Sequence, residues 1–380
     1  MRKIISLILI CLLFICVPAV VFAEDDSTAG SMNKNSMEFT GEEIGLSLDD
    51  AKKMMLTSGT DFLTAEMNMK ANKAQNRSYS ENIARIWMGN APSKTLIEMT
   101  DYAYDFTKAQ IKLNYDAEIN KIVRDVIENY YKLANAKEAL RISNDNVTVQ
   151  EKLYQNTQSK FKLGVVSKQD VLKAEIGLND AKVKAETAEN MYINARMGFN
   201  IKFGYDLMQN IIITDTLEEA PISDISLNDA INSALSNRNE IRRAAFNLKM
   251  SELSLRETGN TISSSSAKYL EAAARLMGAQ TASEVAPKTV EMDVRSKYLN
   301  MTQKKSEIEL GKLSVSNAKE TYRLANLQYD AGMATLTDTQ QAQLGAYQAE
   351  LAYYSTLLEY NLAIIDYEQS TTVGTATVTF

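Results

Sequence analysis

The sequence predicts an all-α protein built of long coiled-coil helical hairpins in two tandem structural repeats, with little or no β-barrel. Two observations carry this. Val171, Ala174, Leu178, Ala181, Ala185, Ala188, Tyr192, Ala195 and Phe199 are spaced alternately by three and four, which lays one stripe along one side of a helix. The same stripe returns at a constant offset as Thr339, Ala342, Ala346, Ala349, Tyr353, Thr356, Tyr360, Ala363 and Tyr367. The preceding helix repeats with it: Leu133, Leu140, Ser143, Val147, Gln150, Tyr154 and Thr157 map onto Met301, Ile308, Gly311, Val315, Ala318, Tyr322 and Ala325. A unit duplicated in register narrows the architecture to two copies of one plan.

In chain order, residues 1–23 read as a signal peptide. Arg2 and Lys3 precede an apolar run, and Val21-Phe22-Ala23 precedes Glu24-Asp25-Asp26. The alternative for this stretch is a retained membrane anchor, against which its apolar run is short. Residues 24–45 are polar and aperiodic and read as a disordered leader. The first repeat spans 46–217 and opens at Ser47-Leu48-Asp49-Asp50, a capping serine followed by acids at the positive helix end. Residues 218–224, around Pro221, form the linker. The second repeat spans 225–370 and opens on the same phrase, Ser226-Leu227-Asn228-Asp229. Residues 371–380 are a C-terminal tail. The repeat openings match at a larger offset than the hairpins do, so the second half has lost residues between the two.

Pro92, with Gly89, interrupts the first repeat, and Gly259, Ser263 to Ser266, Gly278 and Pro287 loosen the second. Each hairpin turns on a glycine, in Leu163-Gly164-Val165 and Ala331-Gly332-Met333. Ser167 and Thr335 are placed to cap the outgoing helices.

Composition excludes much chemistry. The 380 residues contain no histidine, and both cysteines, Cys11 and Cys16, lie in the first 23 positions. Imidazole bases, thiolate nucleophiles and the commonest metal ligands are therefore missing from the remainder. No carboxylate spacing resembles a calcium loop or a paired acid-base site, so the expectation is no enzyme, no cofactor and no metal. The net charge of −7 argues against a nucleic-acid groove.

The turn phrase Tyr154 through Lys162-Leu163-Gly164-Val165-Val166-Ser167 to Ala174-Glu175, its second copy from Tyr322 to Ala342, and the Leu-x-Asp-Ala helix starts at Leu48 and Leu227 together resemble the TolC family of outer-membrane efflux proteins. The resemblance covers roughly residues 46–370. It implies a TolC-like α-barrel protomer and a homotrimer whose long helices enclose a duct, working in efflux or secretion with a periplasmic adaptor protein and an inner-membrane pump.

It also implies hairpin tips, Leu163, Gly164, Val165, Ala331, Gly332 and Met333, that dock the adaptor. Asp338 matches the first position of an acidic pore constriction, and Gln341 stands at the second. Asp170 and Tyr329 match a pair that ties neighbouring hairpins, while Ala334 replaces the arginine partner. Asp170 and Asp338 read equally as helix N-terminal acids favoured by the macrodipole. The family's spanning strands should fall in 86–110 and 257–293, and neither stretch shows the alternation a barrel strand needs. Two functions therefore stand: an exported exit duct placed in the outer membrane by resemblance, or a barrel-less envelope scaffold or transporter extension without pore activity.

Overall fold

The computed structural model describes residues 38–378 apart from Asn90 and Ala91. The expected signal peptide, residues 1–23, and positions 24–37 lie outside the described residues. From Phe39 onward the chain forms a single unit. Its elements are β1 (Thr40–Leu46), α1 (Leu48–Ser58), α2 (Thr60–Gly89), α3 (Lys94–Lys162), α4 (Lys168–Phe203), β2 (Gln209–Ile213), α5 (Leu227–Asn237), α6 (Asn239–Thr261), α7 (Ala267–Asp330) and α8 (Leu336–Ser370).

The duplication is visible element by element. α1 and α5 each run 11 residues, capped by Ser47 and Ser226, whose hydroxyls accept from the backbone N–H of Asp50 (3.1 Å) and Asp229 (3.2 Å). α2 and α3 run 30 and 69 residues against 23 and 64 in α6 and α7. The shortening therefore falls on both arms of the upper hairpin, which leaves the pairing below it in register.

Packing runs in one layer. In the lower half, α4 lies on α3, α3 on α8 and α8 on α7; in the upper half, α2 lies on α3, α3 on α6 and α6 on α7. Every residue of the α4 and α8 stripes is buried or half-buried. Ala174, Ala181, Ala185 and Ala188 are among the most enclosed, since a methyl side chain lets two backbones approach closely.

The two halves are fused at mid-height by the main apolar core, where α1, α5, the two strands and the upper ends of α4 and α8 converge on α3 and α7. The Tyr130 hydroxyl lies 3.0 Å from the Leu46 carbonyl and 3.0 Å from Asp215 Oδ2, which also accepts from the Leu48 N–H at 2.7 Å. Across the linker, Asn361 accepts from the Ala220 N–H and donates to the Glu218 carbonyl, while Glu219 pairs with Lys305 and Lys312.

Two expectations need correction. The leader assigned to 24–45 is not unstructured throughout, because Thr40–Leu46 forms β1 and pairs in parallel with β2. Register places Ile44 beside Ile211 and Leu46 beside Ile213, so a short apolar end anchors a strand whose outer residues are polar. The looseness read around Gly278 and Pro287 is also absent, for α7 passes through Pro287 unbroken. Proline removes one backbone donor there, and packing on α6, together with buried Val290 and Val294, holds the helix through it.

In the segments searched for spanning strands, 86–110 and 257–293, the described residues are helical apart from Pro92, Ser93 and 262–266. Among the described residues the strands are β1 and β2 alone. The two upper turns are tied together: Ser93 Oγ donates to Glu257 at 2.6 Å, and Glu98 pairs with Lys249 and Arg256. No described helix is long and apolar enough to cross a membrane.

The tail lies in an extended path against α3 and α6. Asn114 donates to the Val378 carbonyl (2.7 Å) and accepts from its N–H (2.9 Å), Asn239 donates to the Ala376 carbonyl, and Asn120 to that of Gly374.

Replacing Tyr130 by Phe removes one hydrogen-bond partner each from the Asp215 carboxylate and the Leu46 carbonyl, which keep the Leu48 and Thr214 N–H groups, and should lower unfolding stability by about 1 kcal/mol. Tyr131→Phe is the control, because that hydroxyl makes no hydrogen bond among the described residues. Urea titration of the two variants side by side checks the difference, and equal midpoints would sink the account.

Candidate functional site at the hairpin tips

The two hairpin turns share one local construction. Gly164 and Gly332 sit at φ 75° and 76°, the left-handed region that a side chain disfavours. Each outgoing helix begins with a reciprocal capping box. Asp170 accepts from the Ser167 N–H (3.1 Å) and hydroxyl (2.7 Å), and returns its own N–H to Ser167 Oγ. Asp338 repeats this with Thr335 at 3.0 and 2.7 Å. These hydroxyl and amide donors hold both carboxyls below the usual aspartate range. The stabilisation is therefore present above the ordinary carboxylate pKa and is lost as pH falls through the depressed value.

Asp170 and Tyr329 do not bond to each other. Asp170 is spent on its cap, and the Tyr329 hydroxyl instead lies 2.9 Å from Thr157 Oγ1. Burial raises the Tyr329 pKa, opposed by the Thr157 bond and reinforced by Asp170 and Asp330 nearby. The tie between hairpins is made by residues the resemblance did not name. Lys160 Nζ donates to the Tyr329 carbonyl at 2.6 Å, pairs with Asp330 at 3.3 Å and lies 3.8 Å from the centre of the Tyr329 ring. Asn156 donates to Asp330 at 2.7 Å. On the other side, Gln340 reaches from α8 to the Lys173 carbonyl of α4 and rests over Gly177. Thr157 lay on the predicted seam. Lys160 carried no periodic signal, because its partner is far away in sequence.

A separate small core of Leu153, Ala174, Tyr329 and Leu336 closes the tip region. Beyond it the turn residues are open to solvent: Leu163 is 78% exposed, Val165 68% and Met333 77%. Gly164, Ala331 and Gly332 are exposed beside them. Asp338 and Gln341 are exposed on α8 one turn apart. Their line continues upward through Gly345, Gln348, Ala352 and Ser355, all uncharged and polar or small. Among the described residues no group of histidine, cysteine or carboxylate side chains is placed to hold a metal ion.

The outer flanks of the layer carry a second set of apolar residues that the sequence reading did not single out. On α4, Leu172, Ile176, Val183 and Met191 are exposed; on α7, Met292, Leu299, Leu310, Leu313, Leu324 and Leu327 are exposed. On the upper flank of α2 the set continues with Leu63, Met67 and Tyr79. The signal was present in the sequence as a further spacing of three, seven and eleven on α7.

Residues 103–198 match the family described as outer membrane efflux protein. No curated protein matches the chain. Among solved structures, the Campylobacter jejuni CmeC outer membrane channel is similar at 15% identity, with a TM-score of 0.66 and 86% of each chain covered. The outer membrane protein VceC of Vibrio cholerae is similar at 10% identity and TM-score 0.65, over 87% of this chain and 97% of that one. The open state of the Neisseria gonorrhoeae MtrE outer membrane channel aligns at 16% identity and TM-score 0.60, over 87% and 91%. Residues 103–198 thus match the outer membrane efflux protein family, and the chain as a whole shares the fold of these solved outer-membrane channels.

Proposed function

We propose that the protein is a TolC-like exit duct: a homotrimer whose helical layers close into a tube for efflux or secretion, working with an adaptor and a pump. The observation that carries this is the pair of apolar flanks at the two ends of the layer. Contiguous exposed apolar surface of this length marks an interface. The flanks are on different helices, so one copy's α7 meets the next copy's α4 below and α2 above. Such a heterologous contact generates a closed ring when the rotation closes. The seams also match in height, since Ile176 and Leu324 each lie about two turns from their hairpin ends.

In this reading the exposed tips Leu163, Gly164, Val165, Ala331, Gly332 and Met333 receive the adaptor. The Asp338 line on α8 faces the lumen and gives a mostly neutral, hydrophilic wall with an acid at its mouth. Exported placement in the envelope follows from residues 1–23. The helices at 86–110 and 257–293 favour a second form of the same reading, in which the tube extends a transporter and makes no membrane pore of its own.

The deciding experiment is the mass of residues 24–380 by light scattering, with and without detergent, followed by planar-bilayer conductance. A trimer indifferent to detergent and without conductance supports the barrel-less duct, a conducting trimer supports a pore, and a monomer leaves only the bundle scaffold. Ile176→Asp and Leu324→Asp should each convert the trimer to monomer while leaving helical circular dichroism intact, because both side chains are exposed in the single chain. An unchanged mass for both variants would overturn the seam assignment. Lys160→Met should loosen the tip, read as a broadened spin-label distance between the exposed positions 163 and 333; an unaltered distribution would show that Lys160 does not hold the hairpins together.

A further inference from the structure

Above the mid-height core, α2, α3 and α6 enclose a cavity of about 610 Å³ closed at one end by Val378 of the tail. That volume lies within the range of small-molecule sites. On one side stand Phe106 and Phe246, stacked at 4.0 Å between centroids with planes 16° apart, and Tyr79 contributes from α2. The polar lining is dominated by carboxamides. Asn76, only 7% exposed, lines the cavity together with Asn72, Gln75 and Asn247.

The single formal charge in the lining is Arg243. Lys249 and Arg256 on the same helix are paired with Glu98, whereas Arg243 has no ion-pair partner among the described residues. No carboxylate lines the cavity, in a chain whose net charge is −7. A lone guanidinium beside flat aromatic rings and amides suits one ligand chemistry. The ring stacks or packs edge-on against Phe106 and Phe246, a carboxylate meets the planar guanidinium fork, and Asn76 bonds the remaining polar edge.

We propose that this cavity is a binding site for a small aromatic organic acid of one or two fused rings. The site stands apart from the hairpin tips, and Tyr79 belongs both to its lining and to the α2 flank.

Isothermal titration of residues 24–380 with 2-naphthoate tests it. One saturable site per chain is expected, weakened at least tenfold by Arg243→Gln. The neutral isostere 2-naphthamide should bind the unaltered protein about as weakly as 2-naphthoate binds the variant, and should be indifferent to the substitution. Arg243 is exposed, so the variant should keep the parent's thermal unfolding profile; Phe246→Ala supplies a second variant that should remove binding of both probes. Absence of saturable 2-naphthoate binding, or binding that Arg243→Gln leaves unchanged, would overturn the assignment.

Discussion

Close approach of α3 to α4, and of α7 to α8, is the contact on which the remaining structure rests. Small side chains at seam positions, Ala174, Ala181, Ala185 and Ala188 in one hairpin and Ala346 and Ala363 in the other, let the backbones come together. Interleaved aromatics such as Phe199, Tyr360 and Tyr367 then fill the spaces between them. Because the seam takes only one side of each helix, the pairs pack side by side as a layer. The layer in turn leaves two flanks, and those flanks are apolar. The local spacing of alanines thus sets the layer, and the layer sets which apolar residues are left exposed on its flanks.

The mid-height region has a different task. Long paired helices resist separation along their seams, yet nothing in a seam fixes one repeat against the other. That job falls to polar groups with long sequence separation. Tyr130 gathers the start of α1 and the segment after β2, and Asn361 clamps the linker. Arg238 is nearly buried and bonds Glu240 and Asp293. Burial alone would raise both of those carboxyls, and their bonds to Arg238 outweigh it, leaving them below the usual range. An ion pair this enclosed contributes specificity of position more than net stability.

At the upper end, helix stands where the family's strands were sought. Residues 94–110 and 267–293 belong to the unbroken helices α3 and α7. Ion pairs of Glu98 on α3 with Lys249 and Arg256 on α6 join these helices at the upper end.

Local chemistry settled a great deal in the sequence alone. The seams, the glycine turns, the Ser167 and Thr335 caps and the duplicated helix starts each depend on residues within a few positions of one another, so their pattern survives in one dimension. Tertiary structure decided the rest. β1 exists because Ile44 and Leu46 find Ile211 and Ile213, far along the chain. The tail is held against α3 and α6 because Asn114, Asn120 and Asn239 bond its backbone, and amides carry no periodic signature. Within the chain Lys160 reaches Asp330 across the tip, while Asp170 closes the Ser167 capping box. In each case the outcome turns on which distant partner arrives within hydrogen-bond reach, and spacing along a chain does not encode that.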